Sequence, residues 1–368
     1  MSISCREIVE YMEELAPARL AEDWDNVGLL LGNKDQEIHK ILVCLDVTGE
    51  VIEEAVNKKA DLIISHHPFI FKGMKRIVEN DFKGECIYKL IRNGIGVYSA
   101  HTNLDFAEQG LTGYLSGILG LKDVKNLRDY RPEKLFKVAV FVPEDSTEKV
   151  RESMTGAGAG WIGKYSDCSF IVKGTGTFRP LEGTNPYIGS EGELEEVDEY
   201  RIETIVPADK LKIVLKAMLD AHPYEEAAYD VYPLEISMNK YGYGKVGMLE
   251  GPRKLKDFIE DIKKVLNVSN VRVIGYKDKM VKKIAVFNGS YDNGILRDIQ
   301  DEIDVLVTGD VKYHDARDMI DNGMCVIDAG HFGTENVVVK LLLEKLKSRF
   351  KDVEIIGNCV EKDPFEIY

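Results

Sequence analysis

The sequence predicts an α/β fold, with a pseudo-symmetric, duplicated α/β core that is interrupted by an inserted ferredoxin-like α+β domain. Three observations lead to this class. A strand–helix–strand pattern near the start recurs late in the chain. Both copies end in a similar phrase, NGIGVYSAHTNLD at 93–105 and NGMCVIDAGHFGTE at 322–335. The segment between them follows a different order of strands and helices.

The composition limits the class of protein. The chain has 368 residues, more than the commonest domain size, with 44% apolar and 30% charged residues. No apolar run approaches the ~20 residues of a membrane helix. The first residues, MSISCREIVEYMEEL, have the pattern of an amphipathic helix and lack the apolar core of a signal peptide. We therefore expect a soluble, cytoplasmic protein of two domains, or one large domain with an insertion.

The net charge limits the possible binding partners, and the cysteine content indicates the redox compartment. The formal net charge is −15 and no block of Lys or Arg stands out, so a nucleic acid partner is not expected. The six cysteines are scattered and form no CxxC pair, which favours free thiols in a reducing compartment. Cysteine spacing therefore gives no sign of a metal site.

The first half of the core has the pattern of a parallel βαβ unit. After the N-terminal helix, WDNVGLLLG at 24–32 combines a turn with an apolar strand. KILVCLDV at 40–47 is a short apolar run bounded by polar residues, which predicts a buried strand. Thr48 is a candidate N-cap for the helix that follows, and DLIISHHPF at 61–69 is the next strand.

The second half repeats this order. It predicts a strand at 282–290, a helix at 291–303, a strand at 304–314 and a helix at 315–323, before the second copy of the phrase. Two separate landmarks, the strand that follows the first helix and the final phrase, keep their order in both halves. We therefore infer a diverged internal duplication.

The segment between the halves predicts a small α+β domain. It reads strand, helix, hairpin-like strands, strand, helix and strand, which is the split-βαβ pattern. The flanking segments NLRDYRPE and EISMNKYGYGK are polar and contain Gly or Pro, as hinges between domains do. We place the core at 1–130 and 238–368, and the insert at 131–237. His222, in AHPYEE, lies in the insert, and we favour a structural role for it.

Two histidine–carboxylate pairs lie in the repeated phrase. His101 and Asp105 are four residues apart, as are His331 and Glu335. If a helix begins after each strand, both side chains of a pair lie on one helical face. Imidazole and carboxylate are good ligands for Zn, Fe, Mn or Co. For an isolated pair, a capping contact or a helix charge is the commoner explanation.

The two adjacent histidines in SHHPF indicate a metal site more specifically than either histidine–carboxylate pair does. His66 and His67 lie at the carboxyl end of a buried strand, the edge where ligand sites collect in α/β folds. Adjacent residues on an extended chain point to opposite sides, which suits two neighbouring ions better than one. A solvated loop is the alternative. Four of the seven histidines lie at strand ends of the duplicated core, and a pseudo-symmetric fold would bring them to one cleft.

Two metal ions ~3.5–4 Å apart need histidines and at least one bridging carboxylate. We predict that Glu335 is the bridge. The other predicted ligands are His66, His67, Asp105 and His331. His101 is either a sixth ligand or an acid/base group beside the metal. Asp310 and His314, in TGDVKYH, are further catalytic candidates that either orient ligands or touch substrate; Asp310 is equally placed to cap the following helix.

These motifs together resemble one family. SHHP, AHTNLD, TGDVKYHDA and GHFGTE, in this order and with WDNVGLLLG near the start, resemble the dinuclear metal-centre hexameric family, often labelled GTP cyclohydrolase 1 type 2 homologues. The resemblance covers nearly all of 1–130 and 238–368, and the insert resembles the PII/copper-tolerance-like domain of the longer bacterial members. It implies a toroidal homohexamer with a di-metal site that faces the interior, held by the five ligands named above.

Two functions remain open from the sequence. The first is a metal-dependent hydrolase, in which two divalent ions (Zn, Fe, Mn or Co) activate water against a nucleotide or a similar small phosphorylated molecule. His101 or His314 would then move the proton. The alternative is a non-catalytic, metal-holding hexameric scaffold or regulatory protein whose insert senses an effector or binds a partner. Metal-dependent turnover distinguishes the two.

Overall fold

The computed structural model describes residues 2–238, 241–276, 278–290 and 303–366. The chain divides into two compact units, a core formed by Met1–Arg131 with Tyr241–Tyr368, and an insert formed by Pro132–Lys240. Of the helix predicted at 291–303, only residue 303 lies within the described residues.

The core and the insert both contain strands and helices. The strands are Ile3–Ser4 (β1), Gly28–Leu31 (β2), Glu37–Ile38 (β3), Lys40–Cys44 (β4), Leu62–Ser65 (β5), Gly96–Ser99 (β6), Lys122–Asp129 (β7), Glu133–Pro143 (β8), Ser169–Phe178 (β9), Glu195–Pro207 (β10), Tyr229–Met238 (β11), Gly242–Lys254 (β12), Arg272–Ile274 (β13), Met280–Ser290 (β14), Val305–Gly309 (β15), Val326–Asp328 (β16) and Glu354–Gly357 (β17). The α-helices are Cys5–Leu15, Gly49–Asn57, Phe82–Arg92, Thr102–Phe106, Leu111–Ile118, Thr147–Gly156, Leu211–Ala221, Leu255–Leu266, Tyr313–Asp321, His331–Glu335 and Val337–Arg349. Each of these helices is too short or too polar to cross a membrane.

The two halves of the core contain the same three-stranded parallel unit. One sheet has the order β17-β4-β5-β6-β2, in which β4, β5 and β6 run parallel. The other has the order β13-β16-β15-β14-β12-β7, in which β14, β15 and β16 run parallel. Because three consecutive strands keep the same order and direction in both sheets, the structure confirms a duplicated α/β core.

The central strands are buried on both faces, as parallel sheets require. In β4, Ile41 and Val43 pack in a core with the helix Cys5–Leu15, whereas Leu42 packs in a second core with the helix Gly49–Asn57. Successive side chains of a strand point to opposite faces, so a near-continuous apolar run such as KILVC fills both cores at once.

The late strand is shorter than the sequence predicts. The sequence predicts a strand over 304–314, but β15 ends at Gly309. Asp310 has a φ of 52°, a left-handed conformation that cannot continue an extended strand, and the helix Tyr313–Asp321 begins soon after. His314 consequently lies on a helix and not at a strand end.

The insert is ferredoxin-like. Its four antiparallel strands have the order β11-β8-β10-β9, which corresponds to 4-1-3-2 in chain order. The helices Thr147–Gly156 and Leu211–Ala221 pack on one face of this sheet. The strand–helix–strand–strand–helix–strand pattern inferred from the sequence is therefore confirmed.

The N-terminal helix offers a test of the core. It begins at a capping box, in which the Ser4 side chain accepts a hydrogen bond from the Glu7 N–H and the Glu7 carboxylate accepts one from the Ser4 N–H. Its residue Ile8 is fully buried against the first sheet, whereas Glu10 is exposed.

We expect Ile8→Ala to lower the free energy of unfolding of the core by ~2–5 kcal/mol, because it removes buried apolar area and leaves a cavity. Glu10→Ala on the same helix should change it by less than ~0.5 kcal/mol. Urea unfolding followed by circular dichroism measures both. Equal effects of the two substitutions would contradict this packing.

Candidate metal centre

The duplicated core brings its strand ends to one place. The carboxyl ends of parallel strands share one edge of a sheet, and the polar residues of this site follow those ends. They are Asp46 after β4, His66 and His67 after β5, His101 after β6, Asn288 near the end of β14, Asp310 after β15 and His331 after β16. Asp105 and Glu335 lie in the short helices Thr102–Phe106 and His331–Glu335, which start where the parallel strands stop.

Glu335 is the centre of the cluster. Its side chain is buried, and its Oε2 lies 2.8 Å from Nε2 of His67 and 2.8 Å from Nε2 of His331. Its Oε1 lies 3.9 Å from Nε2 of His66, which is also 3.5 Å from Oδ1 of Asp105. The two oxygens of one carboxylate therefore face two separate sets of ligand atoms, an arrangement that a bridging carboxylate requires.

The donor atoms form three overlapping groups, each with its ligand atoms within 4.8 Å of one another. The groups are His67 with His331 and Glu335, His66 with Asp105 and Glu335, and His66 with His67 and His101. All five predicted ligands are thus close together, with His101 at their border.

Every histidine of the cluster is held by an acceptor on its Nδ1. The acceptors are the Ala100 carbonyl for His66 (2.7 Å), Asp46 for His67 (2.8 Å), Asp25 for His101 (2.9 Å) and Asp310 for His331 (2.8 Å). Carbonyl and carboxylate oxygens only accept, so each Nδ1 carries a proton and, in the neutral ring, Nε2 carries the lone pair. This fixes the tautomer and the ring orientation and leaves Nε2 as the ligand atom.

The donor set fits a divalent cation. Nε2 of His66 is buried and has no hydrogen-bond partner among the described residues. Nε2 of His67 and Nε2 of His331 lie 3.4 Å apart, and each is 2.8 Å from Oε2 of Glu335, so three ligand atoms converge on one point. A Cβ added at Gly289, whose φ is 65°, would overlap the Glu335 carboxylate, so glycine leaves room for it. A cation between imidazoles and carboxylates satisfies all these atoms.

The charges of the cluster support one another. Burial alone would raise the pKa of Glu335, but the His331 and His67 imidazoles at 2.8 Å, with the charge of the nearby His66, hold that pKa well below its usual range. Burial lowers the pKa of His67, but hydrogen bonds to carboxylates outweigh this effect and raise it to about 10. The hydrogen bond to Glu335 raises the pKa of His331 to about 9. Burial raises the pKa of Asp105. The ionised form of Glu335 thus depends on positive charge around it.

Three residues support the site in addition to the predicted ones. Asp46 holds His67 and Asp25 holds His101 by their Nδ1 atoms. The sequence WDN allows Asp25 to line the cleft, although turn chemistry also explains it. Asn288 donates from Nδ2 to Oδ1 of Asp105 (2.8 Å) and to Oε1 of Glu335 (3.2 Å). The available signal was a polar residue at the carboxyl end of each buried strand.

The three predicted catalytic residues have different positions. The His101 ring lies 5.2 Å from that of His66, at the edge of the cluster. Asp310 orients His331 through its Nδ1. His314 is exposed on the helix Tyr313–Asp321, where its ring contacts Tyr313, and the contacts of the described residues do not bring it into the cluster.

Known proteins are similar to this chain over nearly its whole length. A GTP cyclohydrolase 1 type 2 homolog of Halalkalibacterium halodurans is 41% identical over 362 residues, which is 97% of each chain. The homolog of Bacillus subtilis is 40% identical over 368 residues, 99% of this chain and 98% of its own. A crystal structure of a Bacillus cereus protein related to NIF3 superposes with a TM-score of 0.89 at 41% identity, covering 100% of this chain and 99% of that one.

The family comparison agrees with the motifs. The Duf34/NIF3 (NGG1p interacting factor 3) family matches residues 3–364, which include both halves of the core and the insert. The relatives' name is the label of the family that the motifs resemble, so the resemblance is confirmed. With its duplicated core, its insert and its histidine–carboxylate cluster, the chain belongs to the Duf34/NIF3 family.

Proposed function

We propose that the protein is a metal-dependent hydrolase with a dinuclear centre, which acts on a nucleotide or a similar small phosphorylated molecule. The observation that carries this proposal is the position of Glu335, whose two oxygens face two sets of ligand atoms. The name of the relatives makes GTP the first substrate to test.

The chain offers three side chains to each of two ions. His67 and His331 would share one ion with Glu335, and His66 and Asp105 would share the other. Divalent cations held there supply Lewis-acid activation of water and neutralise negative charge on a phosphorylated substrate. Zn, Fe, Mn and Co all accept this set of imidazoles and carboxylates.

His101 is placed to move a proton. Its Nδ1 donates to Asp25, whose carboxylate also accepts from the Thr102 N–H (3.1 Å) and hydroxyl (2.5 Å). Burial would raise the pKa of Asp25, but the hydrogen bond from His101 and the others outweigh it and lower the pKa. This pairing fixes the His101 ring by its Nδ1 and leaves Nε2 as the atom that would accept a proton in hydrolysis.

Two exposed aromatic side chains stand at the edge of the site. Trp24 and Phe71 are 58% and 43% exposed, and their ring centroids lie 5.7 Å apart. The Trp24 ring is 6.0 Å from His101, and the Phe71 ring is 6.5 Å from it. Large exposed rings beside a polar cluster form a stacking surface for a planar base, which supports a nucleotide as substrate.

The homohexamer, the cytoplasmic location and the role of His314 remain predictions from the sequence.

We expect Glu335→Gln to lower the bound metal from two ions per chain and to reduce turnover by roughly 100-fold or more, because the neutral amide cannot bridge two cations. Elemental analysis gives the metal content, and the assay uses GTP with a panel of nucleotides and phosphodiesters. Glu50→Gln is the matched control, since Glu50 is exposed on the helix Gly49–Asn57. Stoichiometric metal without turnover of any substrate in the unmodified protein would favour the non-catalytic scaffold.

We expect His101→Gln to keep both ions but to lower kcat by roughly 100-fold, because a proton-transfer group contributes about this much. Metal content and kcat are measured on the same preparation. Loss of one ion in this variant would identify His101 as a ligand and contradict the proton-transfer role.

We expect Trp24→Ala to raise KM by ~3–10-fold with little change in kcat, because lost stacking weakens bound substrate and transition state equally. Trp161→Ala, which removes the exposed tryptophan of the insert, is the control. Steady-state kinetics with the substrate found above measure both variants. An unchanged KM in Trp24→Ala would exclude the stacking surface.

A further inference from the structure

A cavity of about 850 Å³ lies on the open face of the insert's sheet, opposite the two helices. In β10, Ile202 and Val206 point toward the helices, so Glu199 and Arg201 point to the other face and line the cavity. This volume is in the range of small-molecule sites. All its lining residues belong to the insert, so nothing below depends on the metal centre or on the proposed hydrolase.

Glu199 is a buried carboxylate on the cavity wall. It is 8% exposed, and among the described residues no lysine, arginine or histidine lies within ion-pair distance of it. Its neighbour is the Tyr224 hydroxyl, whose pKa is raised by burial and by this carboxylate. A Cβ added at Gly176 would overlap the carboxylate, so the glycine of β9 makes the space that it occupies. A buried carboxylate with no countercharge is costly unless a ligand supplies a cation.

Arg201 supplies the opposite charge two residues along the same strand. Its Nη2 pairs with Glu203 at 2.8 Å. Its Nε is buried and has no hydrogen-bond partner among the described residues. The nearby Lys173 is already paired with Asp198 at 2.8 Å. The free Nε–H of Arg201 is therefore the donor that an anionic group of a ligand would use.

Aromatic rings form the apolar part of the wall. The Tyr224 ring lies 6.0 Å from that of Phe178 and 6.0 Å from that of Tyr187. The Tyr187 hydroxyl donates to Asp145 at 3.0 Å, so this residue offers its ring to the cavity. These rings suit a planar, apolar ligand body.

The motif AHPYEE holds Tyr224 in place. The Tyr224 N–H donates to Nδ1 of His222 (3.1 Å), and Nε2 of His222 donates to the Phe141 carbonyl (2.9 Å). Burial lowers the pKa of His222, which keeps the ring neutral, as these two hydrogen bonds require. The structural role that the sequence favours for His222 is thus to position a residue of the cavity.

We infer that this cavity binds a zwitterionic aromatic ligand, the class to which aromatic amino acids and short aromatic peptides belong. The ligand's ammonium group pairs with Glu199, its carboxylate accepts from Nε–H of Arg201, and its ring packs against Phe178 and Tyr224. Side chains two residues apart on a strand stand ~7 Å apart. An ammonium group and a carboxylate of one small molecule, with a hydrogen bond at each end, span this distance.

The test is isothermal titration calorimetry on the full-length protein with L-phenylalanine and with phenylalanyl-phenylalanine, which distinguish the free amino acid from a peptide. Two analogues each lack one charge, 2-phenylethylamine without the carboxylate and 3-phenylpropionate without the ammonium group. We expect saturable binding of at least one zwitterion and at least ~10-fold weaker binding of both analogues, because each loses a charge-assisted hydrogen bond. The analogues test the inference on the unmodified protein, whatever the folding of the variants.

The variants assign the charges. Glu199→Gln should weaken the binding of the zwitterion and of 2-phenylethylamine by ~10-fold or more and leave the affinity for 3-phenylpropionate unchanged. Arg201→Gln should weaken the binding of the zwitterion and of 3-phenylpropionate by ~10-fold or more and leave the affinity for 2-phenylethylamine unchanged. Glu196→Gln, exposed on the opposite face of β10, should bind as the unmodified protein does. Absence of saturable binding of both zwitterions up to about 10 mM, or binding that Glu199→Gln leaves unchanged, would overturn the inference.

Discussion

The structure depends on keeping the Glu335 carboxylate ionised while it is buried. A buried carboxylate is unfavourable unless charge and hydrogen bonds compensate it. Here the compensation comes from three imidazoles and from the Asn288 amide, which belong to elements far apart in the chain. The duplicated sheets, the short helix His331–Glu335 and the glycine at 289 all serve to place these groups around one carboxylate.

The two halves of the core supply the candidate ligands unequally. The first half contributes His66, His67 and Asp105, and the second half contributes His331 and Glu335. Where the first copy has its histidine doublet, the second has Asp310, which holds the Nδ1 of His331. One half therefore has candidate ligands where the other has a residue that orients a histidine. Asp310 gives His331 an acceptor for its Nδ1, as the other three histidines of the cluster have theirs. Because each ring is held at Nδ1, its Nε2 keeps a fixed direction toward the cluster.

The insert has one sheet face that its helices do not cover. A ferredoxin-like sheet buries one face under its helices and leaves the other to be covered or used. In this protein the second face holds a buried carboxylate and an arginine between aromatic side chains. Apolar residues alone would be enough to cover a sheet face, so these charged groups point to a binding role. The core thus places its charged groups at the ends of parallel strands, whereas the insert places them on alternate residues of a strand.

The sequence by itself determined the fold class, because strand, helix and turn signals are local and the duplicated order repeats them. It also indicated the residues that the structure gathers, since histidine and carboxylate at strand ends follow from the βαβ pattern. Only the tertiary structure showed that Asp25, Asp46 and Asn288 support the cluster, and that His314 lies on an exposed helix. Those assignments depend on contacts between distant segments, on the left-handed turn at Asp310 and on the direction of single side chains, which no local pattern encodes.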